Sequence, residues 1–340
     1  MFRTRAILLV LISSLQLSVG CGESNPKPAA ANAPAISPEA IRAALAAAEE
    51  YLASQNLAKA ETIALELIEK APVDWRGHEV HARILMMRSI VAEKSGDSAA
   101  AAAWLEKADE AYSNAVRLSP PEAGLLHSAA LVARKAGRTD TAILMLAEAG
   151  RLDPRNPQYP LHEAQLLISQ QRFDDAELRI KRVLELQPLE SFAIATLAGI
   201  ALERGENERA VELIRAAREI DPQNLALRVN ESRIFRRIGR PREALELLVP
   251  LAETDRAKEG IASEIAAGYA AMGEHAQAIA AWEHCFRASA KSWRAALGIA
   301  RANLAAGDLM SARAWQQTAQ SLAPNEPDVI ALREEIEQPR

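Results

Sequence analysis

Residues 205–222 read Gly-Glu-Asn-Glu-Arg-Ala-Val-Glu-Leu-Ile-Arg-Ala-Ala-Arg-Glu-Ile-Asp-Pro, and they contain three landmarks that decide the fold. A glycine opens the stretch at Gly205, a small residue follows at Ala210, and a proline closes it at Pro222. Glycine permits a turn between helices, a small residue lets two helices cross closely, and proline ends a helix. The stretch therefore predicts the turn and the second helix of a helix-turn-helix unit.

These landmarks recur every 34 residues on both sides of the stretch. The alanine repeats at Ala142, Ala176, Ala210, Ala244, Ala278 and Ala312. The glycine repeats at Gly137, Gly205, Gly239, Gly273 and Gly307, with Gln171 in the remaining unit. Proline stands at Pro154, Pro188, Pro222 and Pro324, with Arg256 and Ala290 in its place elsewhere. One structural unit is therefore repeated along the chain.

This spacing resembles the tetratricopeptide repeat, whose period is also about 34 residues. The family's other small position is matched by Ala48, Ala82, Ala130, Ala164, Ala198, Ala266 and Ala300, with Ser232 the substitution. The resemblance implies an all-α fold, a right-handed superhelical solenoid of helix-turn-helix repeats over residues 39–340. Units are expected to begin near Ile41, Trp75, Ala123, Pro157, Ser191, Leu225, Glu259 and Trp293. That gives eight helix pairs, followed by an amphipathic capping helix over 327–337.

The second pair, near residues 75–120, breaks the period. Ala82 and Ala130 are 48 residues apart, 14 more than the repeat requires, and Gly96 lies within the excess. We expect both helices to be longer by seven residues, about 10 Å each. Two interpretations remain open: a tolerated helix extension, or a projecting hairpin on which a partner docks.

The first 20 residues have the features of a secretion signal. Arg3 and Arg5 precede a mostly apolar stretch over 6–17, shorter than the about 20 residues that span a bilayer. Residues 17–21, Leu-Ser-Val-Gly-Cys, resemble a bacterial lipobox, although the family usually has leucine where this chain has serine. The resemblance implies cleavage before Cys21 and its lipidation. The alternative is an ordinary cleaved signal with an incidental cysteine.

Residues 21–38 are rich in proline and alanine and predict a tether between the lipid and the repeats. By family resemblance, Gly22 favours export to the outer membrane, so we expect a lipid-anchored protein of the bacterial envelope on the periplasmic face. The other cysteine, Cys285, falls at a small inward position, and no disulfide is expected.

The composition and motifs argue against several function classes. The net charge is −5 and the pI is about 5.8, which disfavours nucleic-acid binding by a generally basic surface. The sequence has no glycine-rich phosphate loop, paired-cysteine metal pattern or serine nucleophile elbow. We therefore expect no catalytic, cofactor or metal site. His78 and His81, three residues apart, are interpreted as structural.

In tetratricopeptide repeats, positions 2, 5, 6, 9, 12 and 13 of each unit line the concave groove. Here they hold ten cations, which are Arg42, Arg76, Arg83, Arg134, Lys135, Arg233, Arg236, Arg237, Arg294 and Arg301. Only four acids oppose them, which are Glu49, Glu79, Glu203 and Glu264. The excess predicts attraction of an acidic or carboxylate-bearing partner. Four of the cations stand in last turns of helices, however, where they would also favourably meet the helix dipole.

The densest basic cluster repeats every three or four residues and so lies along one helical stripe. The predicted partner-binding residues are this stripe, Asn230, Arg233, Arg236 and Arg237, together with Arg134 and Lys135. The leading hypothesis is a non-catalytic scaffold that binds partner proteins during envelope assembly, secretion or polymer export. A direct glycan-binding or enzymatic module and a self-association surface are the alternatives.

Overall fold

The computed structural model describes residues 36–251, 253–256 and 258–337. The predicted signal peptide, Cys21 and most of the tether at 21–38 lie outside them. Within the described ranges the chain forms helices and no strands. The helices are α1 (Pro38–Ala53), α2 (Leu57–Lys70), α3 (Trp75–Lys94), α4 (Ser98–Leu118), α5 (Ala123–Lys135), α6 (Thr139–Leu152), α7 (Gln158–Ser169), α8 (Phe173–Leu186), α9 (Ser191–Glu203), α10 (Asn207–Ile220), α11 (Leu225–Arg237), α12 (Pro241–Leu248), α13 (Glu253–Arg256), α14 (Glu259–Ala271), α15 (His275–Ala288), α16 (Trp293–Ala305), α17 (Leu309–Leu322) and α18 (Pro327–Glu337). The predicted all-α solenoid is confirmed.

The helices pack in consecutive pairs, from α1 with α2 to α16 with α17, and α18 covers the last pair. First helices of successive pairs also contact each other, as α9 does with α11, α11 with α14, and α14 with α16. These first helices therefore lie side by side, and their exposed faces line one groove. No helix within the described ranges is long and apolar enough to span a membrane.

The glycine landmarks occupy a backbone conformation that other residues rarely adopt. All five have φ between 74° and 83°, in the left-handed region where a Cβ is unfavourable. Gln171 has the same conformation, with φ of 59°. The turn therefore keeps its geometry even where the sequence lacks glycine, and the strain falls on Gln171.

The alanine landmarks lie where paired helices cross, and each is at most 1% exposed. Ser232 replaces an alanine at the other small position, and its buried hydroxyl donates a hydrogen bond to the carbonyl of Ala244 at 2.9 Å. Four fully buried aliphatic residues repeat the period along the second helices: Leu146, Ile180, Ile214 and Leu248. Each such burial contributes about 1.5–3 kcal/mol, so the repeat is stabilised by one common packing pattern.

One second helix departs from this pattern. α12 has eight residues, whereas α10 has 14, and the short α13 follows it. The reason is Pro250, which has no amide hydrogen to donate to the carbonyl one turn earlier and therefore ends the helix, although Val249 itself keeps helical backbone angles. In this unit proline therefore stands at Pro250, six residues before the usual position, which is occupied by Arg256.

The second pair is longer, with 20 residues in α3 and 21 in α4, against 13 in α5 and 14 in α6. Small residues lie where the added turns of α3 and α4 meet. The buried hydroxyl of Ser89 donates a hydrogen bond to the carbonyl of Ala101 at 2.9 Å, which links the two helices. Lys135 of α5 pairs with Glu93 at 2.8 Å. The extension is therefore tied to the next pair, and Val91 is its exposed large apolar side chain.

Candidate protein-binding groove

The predicted partner-binding residues lie at two places in the groove. Asn230, Arg233, Arg236 and Arg237 share α11, whereas Arg134 and Lys135 occupy the last turn of α5, three pairs away. The structure thus brings the four stripe residues together. It places the other two at a separate point of the inner layer.

Glutamates of neighbouring first helices offset the charge of the α11 stripe. The Nε of Arg233 donates to one carboxylate oxygen of Glu264 at 2.8 Å, and the Nε of Arg236 donates to the other at 3.1 Å. The Glu264 side chain is only 9% exposed. Arg237 donates to both oxygens of Glu203. This hydrogen bonding lowers the pKa of Glu203 and raises that of Arg237. The three arginines therefore face two glutamates.

The same arrangement recurs in other pairs. Arg83 donates to Glu49, which stands 34 residues earlier, and Lys135 is held by Glu93. Three of the four groove acids are thus bound to groove cations. The positive charge available to a partner is smaller than the count of residue types predicts.

Two histidines of the groove stack on each other. The Nε2 of His127 lies 2.8 Å from the Nδ1 of His162, the ring centroids are 5.0 Å apart, and Tyr159 packs edge-on against His127. Burial lowers the pKa of both histidines, and His127 and Arg134 lower that of His162 further. At 2.8 Å the two ring nitrogens share one hydrogen bond, in which one donates and the other accepts. The residues are 35 apart, so the repeat spacing could have paired them.

The two histidines interpreted as structural each contact a nearby polar group. His81 lies 3.8 Å from Glu61, and His78 contacts the carbonyl of Pro72. Across the described ranges, no three histidine, cysteine, aspartate or glutamate side chains converge to hold a metal ion. Cys285 is buried, which raises the pKa of its thiol.

A network around Glu177 on α8 is not evident from the sequence. Arg204 and Arg209 donate to its carboxylate, and Lys181 lies 3.2 Å away. Hydrogen bonding, first by Arg204 and then by Arg209 and Lys181, lowers the pKa of Glu177 to about 2 against the opposing effect of burial. Three cations from two pairs therefore share one carboxylate, which joins α8 to the next pair.

Two pockets differ in their position and lining. One, of about 490 Å³, lies against α6, α7 and α8 and includes the buried Glu163, which is paired with Arg179 at 2.9 Å. The other, of about 410 Å³, opens into the groove between α14, α16 and α18. The second contains residues at the groove positions of two successive units and is therefore part of the inner surface.

Comparison with known families agrees with this architecture. Two family models, both described as the tetratricopeptide repeat, match residues 45–116, 133–199 and 264–327. These matches together cover more than half of the chain. This chain is a tetratricopeptide repeat protein.

Several solved structures superpose on it. A tetratricopeptide repeat protein from Parabacteroides merdae has a TM-score of 0.56 and 18% identity, over 76% of this chain and 99% of that one. Yeast Tom70 has a TM-score of 0.58 and 19% identity, over 83% and 58% of the two chains. PilW, a type IV pilus biogenesis factor, has a TM-score of 0.50 and 14% identity, over 62% and 98%. At these identities the likeness shows the fold. No curated protein matches the sequence.

Tetratricopeptide repeats are protein-interaction scaffolds, and they generally bind protein or peptide partners. The fold family is generally non-catalytic. The inner layer of first helices is consequently the surface on which to look for a partner.

Proposed function

We propose that this tetratricopeptide repeat protein is a non-catalytic scaffold anchored by a lipid on Cys21 in the bacterial envelope. Its repeats hold a partner protein in the groove during envelope assembly, secretion or polymer export. The observation that carries the binding role is the inner layer of first helices, with arginines along its exposed face. The lipid anchor rests on the lipobox resemblance of residues 17–21.

The ionisable groups of the groove support binding rather than chemistry. The shifted pKa values of Glu203 and Arg237 come from their mutual ion pair, and those of His127 and His162 come largely from burial. These groups are engaged in holding neighbouring units together. The fold that PilW shares is compatible with a role in envelope assembly, and an outer-membrane location on the periplasmic side follows the export that Gly22 favours.

The partner contacts proposed from the sequence remain the α11 stripe and the pair on α5, and the partner is proposed to be acidic. Asn230 belongs to this surface, because its side-chain oxygen accepts a hydrogen bond from Arg233 at 3.4 Å. Arg134 makes no ion pair within the described ranges. It is therefore the most available cation of the predicted set.

Membrane fractionation of cells that express the wild type or Cys21→Ser tests the anchor. We expect the wild type in the outer membrane and the processed variant in the soluble envelope fraction, with the same helical circular dichroism spectrum. A processed Cys21→Ser protein that stays with the membrane would refute lipid anchoring. Capture from detergent-solubilised envelope membranes, with the full chain as bait, tests the scaffold role. The absence of any captured protein at low salt would contradict it.

A further inference from the structure

The groove pocket at the C-terminal end has the size and position of a ligand site. Its volume of about 410 Å³ falls within the range of about 300–1,000 Å³ typical of binding pockets. It is bounded by α14 and α16, the first helices of the last two pairs, and by α18. A partner in the groove therefore meets it directly.

Small residues create this space. Ser263, Ala267 and Ala270 of α14 line the pocket, and they stand one repeat after Val229, Arg233 and Arg236 of α11, respectively. Where α11 carries bulky side chains at these positions, α14 leaves a floor of methyl groups and one hydroxyl. Such a floor accepts a small or aliphatic side chain without displacing anything.

The pocket also has an aromatic wall. The indole of Trp282 packs so closely over Gly298 that a Cβ at that position would overlap it. Trp293 lies among the lining residues as well, with the guanidinium of Arg294 4.5 Å from its ring centroid. The two indoles add apolar surface to the pocket, and the Trp293 ring packs against the positively charged guanidinium of Arg294.

Two arginines face the pocket, and their ion pairs are weaker than those of the α11 stripe. Arg294 lies 4.0 Å from Glu259, and Arg301 lies 3.6 Å from Asp328, whose side chain is 66% exposed. In contrast, Glu264 is buried beneath its two arginines. Exposed, long ion pairs contribute little, so an incoming carboxylate can replace them at small cost.

The spacing of these arginines limits the ligand. They are seven residues apart on one helix, which is two turns or about 10 Å. A peptide extended in the polyproline II conformation advances about 3.1 Å per residue with three residues per turn, so carboxylates three residues apart lie on one face and match this distance. The residues between them would lie over the alanine floor.

We propose that this pocket binds an extended peptide segment with two acidic residues three positions apart and small or aliphatic residues between them. Arg294 and Arg301 each bind one carboxylate, and the floor and the Trp282 wall receive the apolar side chain. The proposal rests on the proposed scaffold function and names the class of partner segment that the groove recognises.

An octapeptide array tests this specificity. Its central positions are varied over alanine, leucine, aspartate and asparagine, and it is probed with the full-length protein in detergent. We expect bound peptides to carry two aspartates three positions apart, and asparagine in place of either to weaken binding. Asparagine keeps the shape and removes the charge. Equal binding of asparagine and aspartate peptides, or no binding up to about 1 mM, would overturn the proposal.

Variants of the protein separate the pocket from general charge effects. Arg294→Gln combined with Arg301→Gln should weaken peptide binding at least about tenfold without changing the melting temperature, because both side chains are exposed. The matched control is Arg287→Gln with Arg313→Gln, which removes two exposed positive charges outside the pocket and should bind like the wild type. Equal losses in the two double variants would overturn the site.

A filling variant tests the floor while both arginines remain. Ala270→Gln, at an exposed lining position, should reduce the preference for leucine between the aspartates. An unchanged preference would contradict the apolar part of the site. If the wild type captures an envelope protein and the arginine double variant captures it equally well, this inference fails while the proposed scaffold function stands.

Discussion

The α11 stripe and the α16 arginines show how the same residue type in one groove differs in availability. Arg233 and Arg236 are bound to the buried Glu264 at 2.8 and 3.1 Å. Arg294 lies 4.0 Å from Glu259 and Arg301 lies 3.6 Å from Asp328, and both of these acids are accessible to solvent. The density of arginines identifies a basic helix, but the acid on the next first helix decides whether its charge can reach a partner.

The strongest expected effect comes from removing the α11 charges. The triple change of Arg233, Arg236 and Arg237 to glutamine should lower the free energy of unfolding by about 2–3 kcal/mol, because Glu264 is left buried without a cation. The sequence alone predicts little change in stability for this variant, because it places these arginines on an exposed face. The ion pairs with Glu264 and Glu203 instead predict a loss of stability. Urea unfolding monitored by circular dichroism measures it. An unchanged midpoint would show that these pairs contribute nothing.

Two glycine substitutions compare the packing around α16 with that around α9, the helix whose Glu203 pairs with the α11 stripe. Gly298→Ala should destabilise the protein by about 1–2 kcal/mol, because the new methyl group displaces the indole of Trp282. Gly199→Ala on α9 meets nothing within 4 Å and should stabilise the protein by about 0.5–1 kcal/mol through helix propensity. Thermal unfolding of both variants tests this. The same sign for both changes would contradict the close packing at Gly298.

Acid titration sharpens the comparison of ion-pair strength. The pKa of Glu177 is lowered from 4.5 to about 2, so its charge stabilises the folded state above pH 4.5, and this contribution is lost as the pH falls toward 2. Glu177→Gln should therefore be less stable than the wild type by about 1 kcal/mol at pH 7. The difference should disappear near pH 2. A constant difference from pH 7 to pH 2 would mean that the carboxylate charge is not its cause.

The smallest expected effect concerns the turns. Gln171→Gly should raise the unfolding free energy by about 0.5 kcal/mol, since glycine relieves the positive φ but loses more backbone entropy on folding. Gly205→Ala at the equivalent turn should lower it by about 1 kcal/mol. Chemical unfolding of both variants gives the comparison. A stabilising Gly205→Ala change would refute the proposed need for glycine.

The sequence predicted the fold well because its landmarks act locally. A glycine at positive φ, a small residue at a crossing and a proline at a helix end each require one residue type at one position, and the period repeats the requirement. The early end of α12 was missed because Pro250 stands off that period, although its effect on the backbone is equally local.

The groove was less predictable. Family spacing predicts which positions line the groove, and Ser263, Ala267 and Arg301 of the pocket are among them. It does not pair Arg233 with Glu264, which are 31 residues apart and meet only through their side-chain conformations, whereas Glu203 and Arg237 stand one repeat apart. Small residues were overlooked as well, since the space they leave appears only once the neighbouring helices are in place.

Capture from solubilised envelope membranes tests most directly which groove region binds the partner. Three full-length baits are compared at low salt: the wild type, the Arg294→Gln and Arg301→Gln double variant, and the α11 triple glutamine variant. We predict that the double variant loses most of the capture with an unchanged melting temperature, while the triple variant loses less of the capture and has a lowered melting temperature. Loss of capture by the triple variant alone, at full stability, would contradict this assignment and return the site to the α11 stripe.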